Sequence, residues 1–337
     1  MTTSACSSVA VLSTIPRLSQ HLKLALPNVS FTDVLADDST RSRLSNAEII
    51  VADANLLIGH VENLPATKWV QMTWAGVEGF VTKLRDSKTT PPNFQVTRFS
   101  GQSFGYAMSE YVVAQIVNFE RDQRRQYENQ SRAKWEQSGW VSDHRRLCEL
   151  TVGILGVGEI GGFLAKVLKT LGARVWGMSR SPPAEISEQD FKRRNLHYLD
   201  AHVTGASLAK LLESCDYVVN VMPSTDSTRG LLNGDALKSC AARGSVFVNI
   251  GRGSVIDESD LINALERKWI SGAILDVFEN EPLSEHSKLW SFPQVTISPH
   301  VAGISKPEDI AQVFAANYAR YTAGKSLQNV LDHNRGY

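Results

Sequence analysis

The feature that most constrains the fold of this chain is a regular alternation of short apolar segments with stretches of helical periodicity. Three such segments lie near the start, at 8–13, 47–53 and 67–73. Six more follow, at 151–158, 173–179, 217–223, 245–251, 272–278 and 295–300. Apolar strands that alternate with amphipathic helices indicate βαβ units and a mostly parallel sheet. The sequence therefore predicts an α/β protein with doubly wound sheets.

The arrangement of these segments predicts two domains. A chain of 337 residues is long enough to form two cores. Long helices are expected at 109–130 and 308–321, and the tail after residue 300 is too short to bury a core alone. We expect it to pack on the N-terminal domain, which gives one domain of 1–107 with 301–337 and a second of 108–300. Two crossovers between the domains, with a cleft between them, would permit hinge closure.

The charge balance excludes some classes of partner. Lys plus Arg and Asp plus Glu are 35 each, so the net charge is zero. Such a balance gives no electrostatic reason to expect binding to nucleic acid or to an anionic membrane surface. No apolar run approaches the ~20 residues of a membrane span. The function must therefore be argued from a local site.

Cysteine usage and the N-terminus bear on location. The cysteines are far apart and form no CxxC pair: Cys6, Cys148, Cys215 and Cys240. We expect buried apolar side chains in a reducing compartment rather than a disulfide framework or a metal site. The Ser/Thr-rich start resembles a transit peptide, but its apolar stretch at 9–12 reads as a first strand. A cytosolic location is predicted, with a mitochondrial one left open.

The strongest single motif is "VGILGVGEIGGFLAKVLKTLG", in which an apolar strand leads through three glycines into a helix. Gly156 permits a tight turn, Gly158 lets a pyrophosphate approach the backbone, and Gly161 lets helix and strand pack closely. The N-terminus of the helix supplies N–H groups and partial positive charge for phosphates. This order of strand, glycines and helix predicts a dinucleotide site.

The end of the second strand bears on the choice of dinucleotide. NAD enzymes usually carry an acidic residue there, which accepts hydrogen bonds from the ribose hydroxyls. The segment "ARVWGMSRSPP" has no acid between Gly172 and Pro183, and Ser179 and Arg180 lie where the acid is expected. Since an Arg can pair with a 2′-phosphate, the sequence predicts a preference for NADP(H) over NAD(H). A solvated surface Arg is the alternative interpretation.

Three polar residues each follow an apolar strand: Arg252 in "NIGRG", Glu281 in "LDVFENEP" and His300 in "ISPHVAG". Ligands bind at the carboxyl ends of strands in doubly wound sheets. A guanidinium on a glycine-flanked turn, with no acid beside it in the sequence, suggests a bound anion as its partner. Singly, each residue has a structural explanation as a strand cap, a surface turn or a loop brace. Together, behind a dinucleotide loop, they indicate a catalytic site.

At this point the chain resembles the D-isomer-specific 2-hydroxy acid dehydrogenase family over nearly its whole length. The segments that match the family's signatures are "FVNIGRGSVIDESDLINAL", "ISGAILDVFENEP" and "LWSFPQVTISPHVAGIS". Within the family it is most similar to the glyoxylate/hydroxypyruvate reductases, through "WVQMTWAGVEGF" and the acid-free second strand. The resemblance implies a Rossmann cofactor domain inserted in a flavodoxin-like substrate domain.

The resemblance also implies a reaction, the reduction of a small 2-oxo acid to the D-2-hydroxy acid. Arg252 would form a forked interaction with the carboxylate and carbonyl oxygens and hold the ketone against the nicotinamide. His300 would be the general acid, and Glu281 would favour its charged form and fix its ring. The anion that Arg252 requires would then be the substrate.

Further residues carry over from the family motifs. In the loop "TWAGVEG", the family's substrate-carboxylate loop, small residues could offer backbone N–H groups. The expected substrate contacts there are Trp74, Ala75, Gly76 and Val77. Asp276 would accept from the nicotinamide amide, and Met222 and Pro223 would line the adenosine side. The remaining expected cofactor contacts are Met108, Glu159, Ile160, Ser181, Ile250, Gly251 and Gly303.

Other functions and contacts stay open at this stage. One alternative is a dinucleotide-sensing protein or corepressor with little turnover, since related folds serve that role. Another is a formate-type or amino-acid-biosynthetic dehydrogenase, although the former needs a different partner beside the His and the latter an added regulatory domain. The resemblance implies a homodimer, with the helix at 109–130 as a contact. Trp135 and Trp140 could form a hydrophobic wall or a dimer contact, but buried packing is the favoured interpretation.

Overall fold

The computed structural model describes residues 8–34, 39–86 and 93–332, and the chain forms two compact units. Of these residues, unit 1 comprises 8–34, 39–86, 93–101 and 305–332, and unit 2 comprises 102–304. The strands are β1 Val9–Leu12, β2 Phe31–Asp33, β3 Ile49–Ala52, β4 Trp69–Met72, β5 Gln95–Thr97, β6 Thr151–Leu155, β7 Arg174–Met178, β8 Ala201–Val203, β9 Tyr217–Asn220, β10 Val246–Asn249, β11 Gly272–Leu275 and β12 Val295–Ile297. The α-helices are α1 Leu18–Ala25, α2 Thr40–Ser45, α3 Ala54–Leu57, α4 Glu78–Asp86, α5 Gln102–Glu120, α6 Gln123–Ser131, α7 Trp140–Asp143, α8 Glu159–Thr170, α9 Glu188–Arg193, α10 Leu208–Ser214, α11 Glu258–Glu266 and α12 Pro307–Thr322.

Unit 1 is built on a five-stranded parallel sheet in the order β2-β1-β3-β4-β5. Alternate residues of β4 point to opposite faces, and both are buried. Val70 and Met72 enter the core on one face, whereas the Trp69 ring stacks on Phe314 of α12 at a centroid distance of 5.0 Å. The tail of the chain therefore packs on this unit. The strand order is the flavodoxin-like one.

Unit 2 is built on a seven-stranded parallel sheet in the order β12-β11-β10-β9-β6-β7-β8. Continuous apolar strands are expected where helices cover both faces of a sheet. Strand β10 shows this, since Phe247 lies in one core cluster and Val246 and Val248 lie in the other. The predicted fold class, two doubly wound parallel-sheet units, is confirmed. The winding reverses between β6 and β9, which is where such sheets bind ligands.

The helix predicted at 109–130 is wrong in its bounds. Helix α5 begins seven residues earlier, at Gln102, and ends at Glu120, and α6 begins at Gln123. The break lies at Asp122, whose φ of 46° is incompatible with a continuous helix. Because α5 belongs wholly to unit 2, the unit boundary falls at 101/102 and not at the expected 107/108. The second boundary falls at 304/305 rather than 300/301.

The cysteine and tryptophan expectations hold only in part. Cys215 and Cys240 are buried thiols, but Cys148 is exposed; Cys6 lies outside the described residues. Buried packing was the wrong expectation for Trp135, which is 89% exposed in an irregular segment after α6. Trp140 packs edge-on against Phe119 and is still 46% exposed. Within the described ranges, no helix combines the length and apolar character needed to cross a membrane.

Candidate active site

The glycine-rich loop between β6 and α8 requires glycine for three different reasons. Gly156 has a φ of +100°, and its N–H and that of Val157 both donate to the Met178 carbonyl at 3.0 Å. A Cβ on Gly161 would lie 2.1 Å from the Gly156 carbonyl oxygen. A Cβ on Gly158 would meet nothing within 4 Å, so the backbone is open to an approaching group. This cradle fits a dinucleotide pyrophosphate at the helix N-terminus.

Arg194 and Gly162 brace this loop, and the sequence patterns did not reveal either. Arg194 donates from Nε and Nη2 to the Val157 carbonyl, at 3.0 and 2.6 Å. A Cβ on Gly162 would lie 1.7 Å from the carbonyl oxygen of Arg194. Only glycine therefore lets α8 approach the Arg194 backbone. In the first turn of α8 the Glu159 side chain pairs with Arg193, and Ile160 packs on the core.

The turn after β7 holds Arg180 at the carboxyl edge of the sheet. Ser179 Oγ donates to the Ser181 carbonyl at 2.7 Å and lies 2.7 Å from His202 Nε2. Burial and the charge of nearby Arg194 lower the pKa of His202. Ser179 thus fixes the turn, and the Arg180 side chain is exposed there.

The Arg252 loop is fixed by two buried asparagines. Asn220 and Asn249 end β9 and β10, are paired across the two strands, and are 0% and 2% exposed. Asn220 donates to the Asn249 side-chain oxygen at 2.8 Å, and Asn249 donates to the Arg252 carbonyl at 3.2 Å. The Gly251 N–H donates to Asn249 Oδ1 at 3.3 Å. The backbone that carries the guanidinium is therefore held by side chains of the sheet itself.

Glycine contacts couple this loop to its neighbours. A Cβ on Gly251 would lie 2.7 Å from the Met222 carbonyl oxygen, and one on Gly253 would lie 1.8 Å from the Phe278 carbonyl carbon. Arg252, between them, is partly buried and donates from Nη1 to the Gly251 carbonyl at 2.6 Å. The loop after β10 therefore packs directly on the segment after β11.

Asp276 organises the segment that carries His300. It is 2% exposed and accepts at Oδ1 from Ser298 Oγ (2.6 Å) and Val301 N–H (2.9 Å), and at Oδ2 from Ala302 N–H (2.9 Å). Ser298 Oγ also lies 2.6 Å from the Tyr111 hydroxyl, whose pKa is raised, chiefly by burial. The side chain expected to contact the nicotinamide amide thus also holds the loop after β12.

His300 and Glu281 form a direct pair. His300 Nδ1 lies 2.8 Å from Glu281 Oε2, and the other oxygen of Glu281 accepts from the Phe278 N–H at 2.9 Å. The His300 backbone has a φ of 54°, which costs about 1 kcal/mol for a residue with a Cβ. Its N–H donates to the Asp276 carbonyl at 2.8 Å. The ring is half exposed, so one edge meets its acid partner and the other can meet a ligand.

The remaining expected cofactor contacts surround these loops. Ile250 is 3% exposed, so its side chain is not available to a ligand. Met222 is buried against Gly156, and Pro223 follows it. A Cβ on Gly303 would lie 2.6 Å from Met108 Sδ on α5.

The loop after β4 in unit 1 contains the expected carboxylate contacts. Trp74 packs against the core of that unit, and Val77 is 3% exposed. Ala75 and Gly76 are partly exposed. Among the residues that the structure describes, none accepts a hydrogen bond from the main-chain N–H groups of Ala75, Gly76 or Val77. Three main-chain N–H groups that precede the first turn of α4 are therefore available as hydrogen-bond donors.

Arg252, Glu281 and His300 follow β10, β11 and β12, which are neighbours in one sheet. The dinucleotide cradle lies at the same edge of this sheet. Together with the imidazole–carboxylate pair and the guanidinium, it defines a nicotinamide-dependent oxidoreductase. Comparison with known proteins supports this class of enzyme. Residues 113–302 match the model of the NAD-binding domain of D-isomer specific 2-hydroxyacid dehydrogenases. The chain belongs to this family, as its sequence predicted.

Individual relatives are similar over most of their length. A glyoxylate/hydroxypyruvate reductase A from Klebsiella pneumoniae is 30% identical over 275 residues, 81% of this chain and 82% of the relative. A D-isomer specific 2-hydroxyacid dehydrogenase from Xanthobacter autotrophicus, solved with NADPH and MES, is 29% identical with a TM-score of 0.84. It is matched over 99% of this chain and 100% of its own. An NADPH-dependent glyoxylate/hydroxypyruvate reductase from Sinorhizobium meliloti, solved with NADP and sulfate, is 28% identical with a TM-score of 0.80. That match covers 98% of this chain and 100% of the other.

Proposed function

We propose that this protein uses NADPH to reduce a small 2-oxo acid, such as glyoxylate or hydroxypyruvate, to the 2-hydroxy acid, which is the D isomer where the product is chiral. The observation that carries the proposal is the placement of Arg252 and the His300–Glu281 pair after three adjacent strands of the sheet that bears the glycine-rich loop. The glyoxylate/hydroxypyruvate reductases from Klebsiella pneumoniae and Sinorhizobium meliloti support the substrate class.

The proposed chemistry needs a bound carboxylate, a carbonyl carbon held against the cofactor to receive a hydride, and a proton at the carbonyl oxygen. When bound, the reduced nicotinamide supplies the hydride. The Arg252 guanidinium binds the carboxylate and carbonyl oxygens in a forked contact. It stabilises the negative charge that develops on the carbonyl oxygen. The His300 ring donates the proton to the oxygen, and Glu281 holds the ring through Nδ1. We also propose that the N–H groups at 75–77 of unit 1 bind a carboxylate.

The direct test is consumption of NADPH by the purified chain with glyoxylate, hydroxypyruvate and larger 2-oxo acids, and of NAD⁺ with formate. We expect turnover with the small 2-oxo acids and none with formate. Tight NADPH binding without turnover of any 2-oxo acid would contradict the proposal and favour the dinucleotide-sensing alternative. Reduction of only large 2-oxo acids would contradict the substrate assignment.

We propose that Arg180 sets the preference for NADPH by pairing with the 2′-phosphate. Arg180→Ala is expected to raise KM for NADPH about 10- to 100-fold, because a charge-assisted hydrogen bond is lost. Arg180→Asp should in addition shift preference toward NADH. The matched control is Arg174→Ala, which removes a guanidinium from the other end of β7. A wild-type enzyme that uses NADH better than NADPH would contradict this assignment.

We also propose that the protein is a cytosolic homodimer in which the exposed aromatic segment after α6 is covered. An indole that is 89% exposed, as in Trp135, is unusual for a surface that stays in water. Sedimentation equilibrium is expected to give about twice the chain mass of 37.1 kDa, and Trp135→Ser should weaken the dimer. A monomer at micromolar concentration would contradict this proposal.

A further inference from the structure

A fully buried carboxylate in unit 1 connects the ends of three strands. Asp53 follows β3 and is 0% exposed. Its Oδ1 accepts from the hydroxyls of Ser13 (2.7 Å) and Thr73 (2.6 Å). Its Oδ2 accepts from the N–H and the hydroxyl of Thr14, at 2.7 and 2.9 Å. Ser13 and Thr14 follow β1, and Thr73 follows β4.

The orientation of this carboxylate is not the one that local sequence favours. Asp53 occupies the N-cap position of α3, where an Asp side chain ordinarily accepts from the helix N–H groups. It makes no such cap hydrogen bond. Instead, it accepts four hydrogen bonds from residues that follow the two neighbouring strands. The carboxylate therefore fixes loops at the carboxyl edge of the sheet rather than the helix.

One of those loops is the proposed carboxylate-binding loop. Thr73 immediately precedes Trp74, so the hydrogen bond to Asp53 fixes the point where the loop leaves β4. The other side is held by residues after β5: the Phe99 N–H donates to the Trp74 carbonyl at 3.2 Å, and Arg98 Nη1 donates to the Ala75 carbonyl at 3.4 Å. The loop is thus fixed from both flanking strands.

We propose that Asp53 is a positioning residue for substrate binding, which it controls through the Thr73 hydroxyl. This inference rests on the proposed function, in which the N–H groups at 75–77 bind the substrate carboxylate. Three N–H groups bind one anion well only if they converge on it, and a rotation of the loop at Thr73 turns them apart. Because Asp53 is buried, it acts through Thr73 and does not touch the substrate.

The chain offers a matched pair of substitutions at the two ends of β4. Thr73→Val removes the hydroxyl that donates to Asp53, and Thr67→Val removes a buried hydroxyl that donates to the Ala47 carbonyl at 2.9 Å. Both threonines are buried, at 0% and 5% exposure. Both variants remove one buried hydroxyl from unit 1, and that of Thr73 also lies 3.4 Å from the Ala52 carbonyl oxygen, so melting temperatures are compared to report the structural cost of each.

The readouts separate positioning from stability. We expect Thr73→Val to raise KM for the 2-oxo acid about 10- to 100-fold, with a smaller change in kcat and unchanged NADPH affinity. Thr67→Val should leave KM within about twofold of the wild-type value. Thr73→Ser keeps the hydroxyl, so its KM should be close to that of wild type. Asp53→Asn should raise KM at least as much as Thr73→Val. Equal KM values in the two Val variants, or an unchanged KM in folded Asp53→Asn, would overturn the inference.

A binding measurement distinguishes failure of this inference from failure of the proposed function. Oxalate, a dianion shaped like a 2-oxo acid, is titrated into the NADPH-bound protein while cofactor fluorescence is recorded. If the wild-type chain turns over no 2-oxo acid but binds oxalate, and Thr73→Val weakens that binding, the proposed function fails and the positioning role stands. If neither Thr73→Val nor Asp53→Asn weakens oxalate binding, or if wild type binds none, the positioning role is wrong.

Discussion

Replacement of His300 by Ala is expected to lower kcat for 2-oxo acid reduction by about 10³-fold. A positioned general acid contributes roughly 10²- to 10⁴-fold, and the His300 ring is fixed by the 2.8 Å contact of Nδ1 with Glu281. The cofactor cradle between β6 and α8 does not involve this ring, so NADPH affinity should stay unchanged. Steady-state kinetics and a fluorescence titration of NADPH provide the two measurements.

Two companion variants make the His300 result specific. His286→Ala removes an exposed imidazole from the loop after β11 and should retain activity. Glu281→Gln keeps a side-chain oxygen near Nδ1 but removes the negative charge, so an intermediate loss of kcat is expected. If His300→Ala retains near-wild-type reduction, the assignment of the proton donor is wrong.

Replacement of Arg252 by Ala is expected to lower kcat/KM for the 2-oxo acid by about 10³-fold. The guanidinium is proposed to contact both the carboxylate and the ketone oxygen, so its loss weakens substrate binding and removes charge stabilisation in the transition state. Arg252→Lys should recover little of the activity, because an ammonium group cannot form the planar fork. The effect should appear in both kcat and KM.

The Arg252 prediction has its own controls. Arg267→Ala removes an exposed guanidinium from the end of α11 and should leave kcat/KM within about twofold. Added guanidinium ion should partly restore Arg252→Ala and leave Arg267→Ala unaffected. Activity of Arg252→Ala close to that of wild type would show that another group binds the substrate anion.

Much of the fold could be predicted from the sequence because the central strands are continuous apolar runs. Strands such as β4 and β10 are buried on both faces, which requires that composition. The pattern did not reveal β2, β5 and β8, which have three residues each and include exposed or half-buried positions. These lie at sheet edges, where periodicity gives little signal. The break at Asp122 was missed because a left-handed residue leaves no apolar signature.

In the candidate site, too, the residues that follow strands could be predicted, whereas hydrogen bonds between distant residues could not. Arg252, Glu281 and His300 each follow an apolar strand, so parallel pairing alone brings them to one edge. The hydrogen bonds that Asp276 and Asp53 make depend on residues far apart in sequence, which no local pattern specifies. A signal for Asn220 and Asn249 was available, since "YVVN" and "VFVN" both place an amide at the end of an apolar strand. Paired in register, those amides fix the Arg252 backbone.

The most direct test of the account follows a labelled hydride from cofactor to product. Wild-type protein is incubated with hydroxypyruvate and NADPH that carries deuterium at both C4 positions of the reduced ring, and the glycerate is analysed by mass spectrometry and chiral chromatography. We expect one deuterium at C2 and the D configuration, with product formation greatly slowed in His300→Ala and Arg252→Ala. Glycerate without deuterium, L-glycerate, or no product from a protein that binds NADPH would contradict it.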